Sequence, residues 1–353
     1  GLVADANHAA KIEAGRRPQR AATRPRATHL SVGSGTVTAF AAAPMTGELV
    51  LGFDRGEVFV LRPTSDEITR VGRCEWPVAS LAVSDDGAFL VVVSAGRSRS
   101  GRAHRGRADS YRRAPEGGYA LLRGFVIDDL AEPWLTTVLN RGPLRPLELG
   151  LWDGQSLYIH TVPELLEEGS ITGPRNGEPP TAGVLLPASR PSEARRVLWQ
   201  NGPQWGLNEA DGPFESLAGS NWRPTPASDT SLRNASVSSM WTGPDQLELT
   251  GVGQGGVLHW HAIDVGDSVE LIATNTHRGP TPYVGAVLMR PGHVAALAQD
   301  RVDWLRTGPS RSSVVTSTPI TVTRPIACAS SPLSNELLVV TCDGLVSRTV
   351  VPY

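Results

Sequence analysis

Lysine is almost absent from this sequence: Lys11 is the one lysine among 33 basic residues, and the rest are arginine. Schiff-base chemistry and phosphate loops both need a lysine, so both are confined to a single residue near the start of the chain. The arginine bias itself is of the kind that a GC-rich, bacterial genome imposes. Cysteine is scarce as well. Cys74, Cys328 and Cys342 make an odd set without metal-ligand spacing, so they are expected as free, buried or half-buried thiols in a reducing compartment. No run of about 18 apolar residues is present to span a membrane, and the opening GLVADANHAAKIEAGRRPQR lacks the apolar stretch of a secretory signal. These absences lead us to expect a cytoplasmic protein with no membrane partner. Nor is there a GxSxG, HExxH or phosphate-loop motif. With a net charge of −2, any electrostatic recognition must come from local patches.

What the chain does contain is repetition. Residues 37–60 read VTAFAAAPMTGELVLGFDRGEVFV, and the segment from Pro325 (PIACASSPLSNELLVVTCDGLVSR) overlays it without a gap. The overlay puts Pro332 on Pro44, Glu336 on Glu48, Leu337 on Leu49 and Gly344 on Gly56. A third copy from Val237 places Pro244, Glu248, Leu249 and Gly256 on the same positions. The first copy consists of short apolar segments separated by APMTG, DRG and RPTSD, which carry Pro, Gly and Asp where tight turns between strands need them. In the first copy the strands are expected at 37–42, 49–53, 57–61 and 67–71. The next copy starts at Val78, and a period of about 40 to 45 residues with four short strands is the signature of a propeller blade.

Measured with that period, the chain holds seven blades. The fourth, within residues 193–233, is the least regular, and reading it as an insertion would leave six. The final repeat ends after its third strand, whereas residues 28–32 (THLSV) form a lone strand candidate at the other end. The expected architecture is therefore all-β, a single seven-bladed β-propeller over residues 28–353, closed by the N-terminal strand. Residues 1–27, rich in Ala and Arg, are expected as a flexible tail or linker.

These repeats resemble the WD40-like β-propellers, although the Gly-His and Trp-Asp pairs that mark that family are missing. The resemblance implies a non-catalytic scaffold that binds other proteins across its faces, with no cofactor.

Two departures from the repeat stand out. Residues 96–118 and 162–181 are expected as insertions between the second and third strands of adjacent blades, side by side on one face. The first carries Arg97, Arg99, Arg102, Arg105, Arg107, Arg112 and Arg113, a basic patch able to hold an acidic or phosphorylated segment of a protein partner. The second offers Glu164, Glu167 and Glu168, with a short helix expected from Pro163. A solvated loop is the competing reading of such charge runs. Nucleic-acid binding through the arginines has only Tyr111 for base stacking. His259 and His261 lie two apart on a strand and share a face, a spacing open to a metal but lacking a third ligand, so packing is expected. Trp199, Trp205 and Trp222 are likewise expected to fill the irregular fourth blade. The remaining alternative is an enzyme or metal-binding propeller whose site is assembled, one residue per blade, in the central channel.

Overall fold

In the computed structural model each repeat folds into a four-stranded antiparallel sheet, and there are seven such sheets. The structure describes residues 28–97, 104–130, 136–139, 147–152, 155–173, 180, 182–186, 196–209, 212–225, 230–232, 237–266 and 268–352. Naming the strands a to d from the axis outward, blade 1 is Val37–Ala42, Leu49–Phe53, Glu57–Arg62 and Glu67–Arg73. Blade 2 is Val78–Val83, Phe89–Arg97, His104–Arg113 and Tyr119–Leu130, and blade 3 is Thr136–Leu139, Leu147–Trp152, Ser156–Val162 and Glu167–Thr172. Gly183–Leu186, Arg196–Asn201, Gln204–Glu209 and Glu215–Asn221 form blade 4. Blade 5 comprises Val237–Trp241, Gln246–Gly253, Val257–Asp264 and Glu270–His277; blade 6 comprises Tyr283–Arg290, His293–Ala298, Arg301–Arg306 and Ser313–Pro319. Blade 7 has only Pro325–Ser331, Glu336–Thr341 and Leu345–Val350 from the C-terminal repeat, and His29–Ser31 completes it.

That closure works because the N-terminal segment does what a blade-to-blade connection does elsewhere. In blade 1 the b–c turn glycine, Gly56, has φ +80°, and a Cβ there would lie 2.4 Å from the Cys74 carbonyl of the segment leading to blade 2. Gly344, its equivalent in blade 7, has φ +81°, and a Cβ would lie 2.6 Å from the Val32 carbonyl. The repeated glycine thus supplies both a left-handed turn and room for a crossing backbone. The pairing agrees: Cys74 N–H donates to Gly56 O (2.8 Å), and Val32 N–H donates to Gly344 O (2.9 Å). With the edge of blade 7 paired as His29↔Ser347 and Ser31↔Leu345, the ring has seven blades and the six-blade alternative is excluded.

The core is distributed over seven apolar clusters, one per seam between neighbouring blades. Strand period sets the division. Leu49, Leu51 and Phe53 pack towards blade 7, whereas Val50, between them, packs towards blade 2. Each such side chain, fully buried, contributes roughly 1.5–3 kcal/mol.

The middle blades depart from the expected register. Residues 96–118 are not simply an insertion: His104–Arg113 is strand c of blade 2, in a ladder that runs from Phe89↔Arg112 to Arg97↔His104. The segment has the charge and glycine of a loop because its inward positions are filled by Gly106, Ala108 and Ser110, and by a buried Asp109 that pairs with Arg107. Similarly, 162–181 contains strand d of blade 3, Glu167–Thr172. There is no helix at Pro163; it sits in a turn after a cis peptide bond. Leu147–Trp152 and Ser156–Val162 are strands b and c, not a and b, and blade 4 begins at Gly183. The two expected insertions therefore do not share a connection type. The b–c connection of blade 2 falls within 98–103, and the expected tail 1–27 likewise lies outside the described residues.

Candidate docking surfaces

The a–b and c–d turns lie on one face of the ring, here the first face, and the b–c turns and blade-to-blade connections lie on the second. Blade 2 is built longer than its neighbours. Its outermost strand has 12 residues, whereas the outermost strands of blades 1, 3, 4, 5 and 6 have 7, 6, 7, 8 and 7. Because strands b and c align at Phe89↔Arg112 near the first face, the extra length projects at the second.

The seven arginines are placed unequally on this sheet. Arg105 has its side chain 63% exposed, 3.7 Å from Asp128. Arg107 Nε donates to Asp109 Oδ1 at 2.7 Å but remains 41% exposed. Arg112 is exposed, its guanidinium over the Phe89 ring. Arg113 turns inward instead, forming an ion pair with Glu48 of blade 1 and lying over the Tyr119 ring. Arg97 ends strand b, but its side chain, Arg99 and Arg102 lie outside the described residues. Beside the exposed arginines, strand d exposes Leu121 (53%), Leu122 (45%) and Val126 (42%), with Arg123 between them. Taking 96–118 for an insertion between the second and third strands makes this segment the third strand of the blade; the structure makes it the fourth and outermost, which is why it is exposed. The register shifts there, between Ser110 and Tyr111 of strand c.

Glu164, Glu167 and Glu168 are exposed on the neighbouring blade, and the blades are tied by Ser110 Oγ, which donates to Pro163 O at 2.7 Å. The histidine pair is a packing element. His259 and His261 both lie against the Trp222 ring, with centroids 5.2 Å away, and burial pushes each imidazole down to about 4. Among the described residues, no three His, Cys, Asp or Glu side chains are grouped to hold a metal. Trp199, Trp205 and Trp222 are all buried. Cys74 is half-buried and Cys328 and Cys342 are buried, all as free thiols; burial raises the Cys328 thiol to about 12, which keeps it protonated and unreactive.

The second candidate surface is the central channel. It holds a cavity of about 460 Å³ lined by strand a of blades 1, 2, 5, 6 and 7, including Phe40, Leu81, Met240, Met289 and Cys328.

The fold defines the chain as a seven-bladed β-propeller. It is similar to a chain in the crystal structure of the mitotic checkpoint complex, at 15% identity and a TM-score of 0.62 over 95% of this chain and 96% of that one. U3-55K is similar at 10% identity and a TM-score of 0.63, over 92% and 98% of the two chains. So is the β-propeller domain of Cps50 (Swd1) from Myceliophteria thermophila, at 11% and 0.60 over 91% and 99%. At such identities the likeness shows the fold alone. No protein-family model matches the sequence, and no curated protein matches it. No helix among the described residues is long and apolar enough to cross a membrane.

Proposed function

We propose that this protein is a non-catalytic interaction scaffold, a propeller subunit or domain of a multi-protein assembly, and that the outer sheet of blade 2 is a docking surface. The observation that carries the reading is the overlong edge strand Tyr119–Leu130, which exposes Leu121, Leu122 and Val126 beside Arg105, Arg112 and Arg123. An unpaired strand edge offers backbone donors and acceptors to an incoming strand, and its side chains select which strand binds. Apolar positions flanked by arginines suit an extended segment that carries both apolar and acidic or phosphorylated residues. One structure that shares this fold is part of a mitotic checkpoint complex, a multi-protein assembly, which supports a scaffold role. Arginine in place of lysine and three free cysteines support a bacterial, cytoplasmic setting.

The test compares proteins retained by the immobilised wild-type chain with those retained by Leu121→Lys/Val126→Lys and by Arg105→Glu/Arg112→Glu. All four positions are exposed or outward-facing, so thermal stability should change little. Loss of the same partner in both variants is the expected outcome, with weakening in high salt. Identical retention by all three proteins would sink the reading.

A further inference from the structure

The repeat places a glutamate near the start of strand b in blades 1, 5 and 7, and the three are partnered differently. Glu48 is met by two guanidiniums: Arg62 of strand c in its own blade, at 3.0 Å, and Arg113 at the end of strand c in the next. Glu336 has Arg348 of its own strand c at 3.6 Å. Glu248 is met by no guanidinium among the described residues. Its partners there are uncharged: Trp260 Nε1 donates to it at 2.8 Å and the Gly292 N–H at 3.0 Å.

The residues responsible can be read in register. Overlaid at the three glutamates, Arg62 falls on Ala262 and Arg348 falls on Trp260. Arg113 falls on Thr307, because Arg113 N–H donates to Ala88 O just as Thr307 N–H donates to Gly292 O, both at 2.8 Å. Where the other seams have arginine, this one has alanine, tryptophan and threonine, and space is left over. A cavity of about 270 Å³ opens at the first-face end of the seam between blades 5 and 6, lined by Glu248, Trp260, Ala262 and Thr307. Glu248 and Thr307 are each only 7% exposed, and among the described residues the Thr307 hydroxyl has no hydrogen-bond partner. Glu248 is the one charged residue of the lining, to which Leu247, Ile272 and Pro309 add apolar wall. Arg290 shares the turn of Gly292 but lies 3.3 Å from His293, and Arg306, next to Thr307, alternates to the opposite side of its strand; neither lines the cavity.

From this arrangement we infer that the cavity is a docking pocket for the side chain of an arginine presented by a partner protein. A buried carboxylate without a counter-charge is costly, and folding has already stripped Glu248 of most of its water, so an entering cation gains the pair against little more than its own desolvation. Both other copies of this glutamate are met by guanidiniums, which defines the group that fits beside it. The carboxylate oxygens and the Thr307 hydroxyl offer acceptors to a planar fork of five N–H donors. The Trp260 indole is a surface of the kind on which a guanidinium stacks, and the apolar wall suits its methylene stem. The volume lies just under the roughly 300–1,000 Å³ of pockets for drug-sized ligands, so it takes a single side chain. This site is separate from the sheet of blade 2 and does not depend on it.

The Trp260 indole N–H, bonded to Glu248, makes the test direct. In ¹⁵N-labelled protein its signal is assigned with Trp260→Phe. We would titrate acetyl-Gly-Arg-Gly-amide, with the citrulline peptide as its uncharged counterpart and methylguanidine as the charge without stem or backbone. The expected result is a saturable shift of the Trp260 signal with the arginine peptide, none with the citrulline peptide, and weaker binding of methylguanidine. Glu248→Gln keeps an acceptor for Trp260 and Gly292 but removes the charge, and Ala262→Arg supplies from within the guanidinium that blade 1 has. Each should weaken the arginine peptide at least about tenfold (1.4 kcal/mol), while the remaining indole signals report that the fold is kept. No saturable shift at millimolar peptide, an equal response to the citrulline peptide, methylguanidine binding as tightly as the arginine peptide, or undiminished binding in either variant would each overturn the proposal.

Discussion

Two seams of the ring do the same job with opposite chemistry. Between blades 1 and 2 the first-face end is closed by charge. Glu48, its side chain only 6% exposed, accepts from Arg62 Nε of its own blade at 3.0 Å and pairs with Arg113 of the next. Arg62 also reaches Glu67 at 2.8 Å and the Gly117 carbonyl. Between blades 4 and 5 the seam is filled by rings, at its second-face end. Trp205 stacks on Trp222 at 5.4 Å, and Trp222 lies against His259 and His261. Among the described residues, no hydrogen-bond partner meets the indole N–H of Trp205 or Trp222, or either ring nitrogen of His261. The first seam is held by a few specific contacts, each of which one substitution can remove. The second is held by contact area and by keeping its imidazoles neutral, so it should fail through cavities and acid.

The repeat carries a carboxylate at the position of Glu48 into blades 5 and 7. Glu248, at the repeat position of Glu48, accepts from Trp260 Nε1 within its blade (2.8 Å) and from the Gly292 N–H of the next (3.0 Å). Glu336 lies 3.6 Å from Arg348, which also pairs with Asp66 across the closing seam. In blades 1 and 5 one carboxylate near the start of strand b thus ties its own blade and joins it to the following one, whereas in blade 7 Arg348 makes the join. Blade 4 lacks the repeat and relies on large aromatic side chains instead.

The comparison is broken most strongly at its apolar member. Trp222 is central to the stack and 2% exposed, so Trp222→Ala should cost about 3–5 kcal/mol, read as a lower urea midpoint. Trp222→Phe, which keeps a ring against the histidines, should recover much of that. If the alanine variant unfolds at the wild-type midpoint, the ring stack is not what holds the seam.

At the charged seam, Glu48→Ala leaves two mostly buried guanidiniums without their carboxylate and should cost about 3 kcal/mol. Glu48→Gln keeps an acceptor and should cost less. A double-mutant cycle with Arg113→Ala measures the contact between blades itself. A coupling near zero would mean that the apolar cluster beneath carries the seam alone.

How far all this was legible in the chain follows the same division. In blade 1, where burial is written in Leu, Val and Phe at period 2, strand a at 37–42 and strand b at 49–53 can be read to the residue. The closing strand follows from counting repeats. Strand c of blade 2 is hidden because Gly106, Ala108 and Ser110 fill its inward face and because Asp109 is made buriable by Arg107; hydrophobicity does not encode that. In blade 3 the stretch LGLWDGQSLYI resembles LGFDRGEVFV, whose glycine marks a b–c turn, and taking it for an a–b turn shifts the register by one strand. Glu48 is visible as a repeated letter, but its partners Arg62 and Arg113 lie in two different blades.

Acid separates the two seams most cleanly. Burial holds the His259 and His261 imidazoles near 4, against about 6.5 in an unfolded chain. Between pH 6.5 and 4 the unfolded chain takes up protons that the folded chain refuses. Stability is therefore full above 6.5, falls as the pH drops through that window, and levels off below 4. Each histidine contributes a slope of about 1.4 kcal/mol per pH unit. Urea midpoints at pH 7.5 and pH 5 should differ accordingly in the wild-type protein and in Glu48→Gln, because the charged seam does not involve these rings. His259→Phe and His261→Phe should each reduce the slope. A wild-type slope that survives both substitutions would place the acid sensitivity elsewhere in the ring and would remove the distinction between a seam that fails by acid and one that fails by losing a contact.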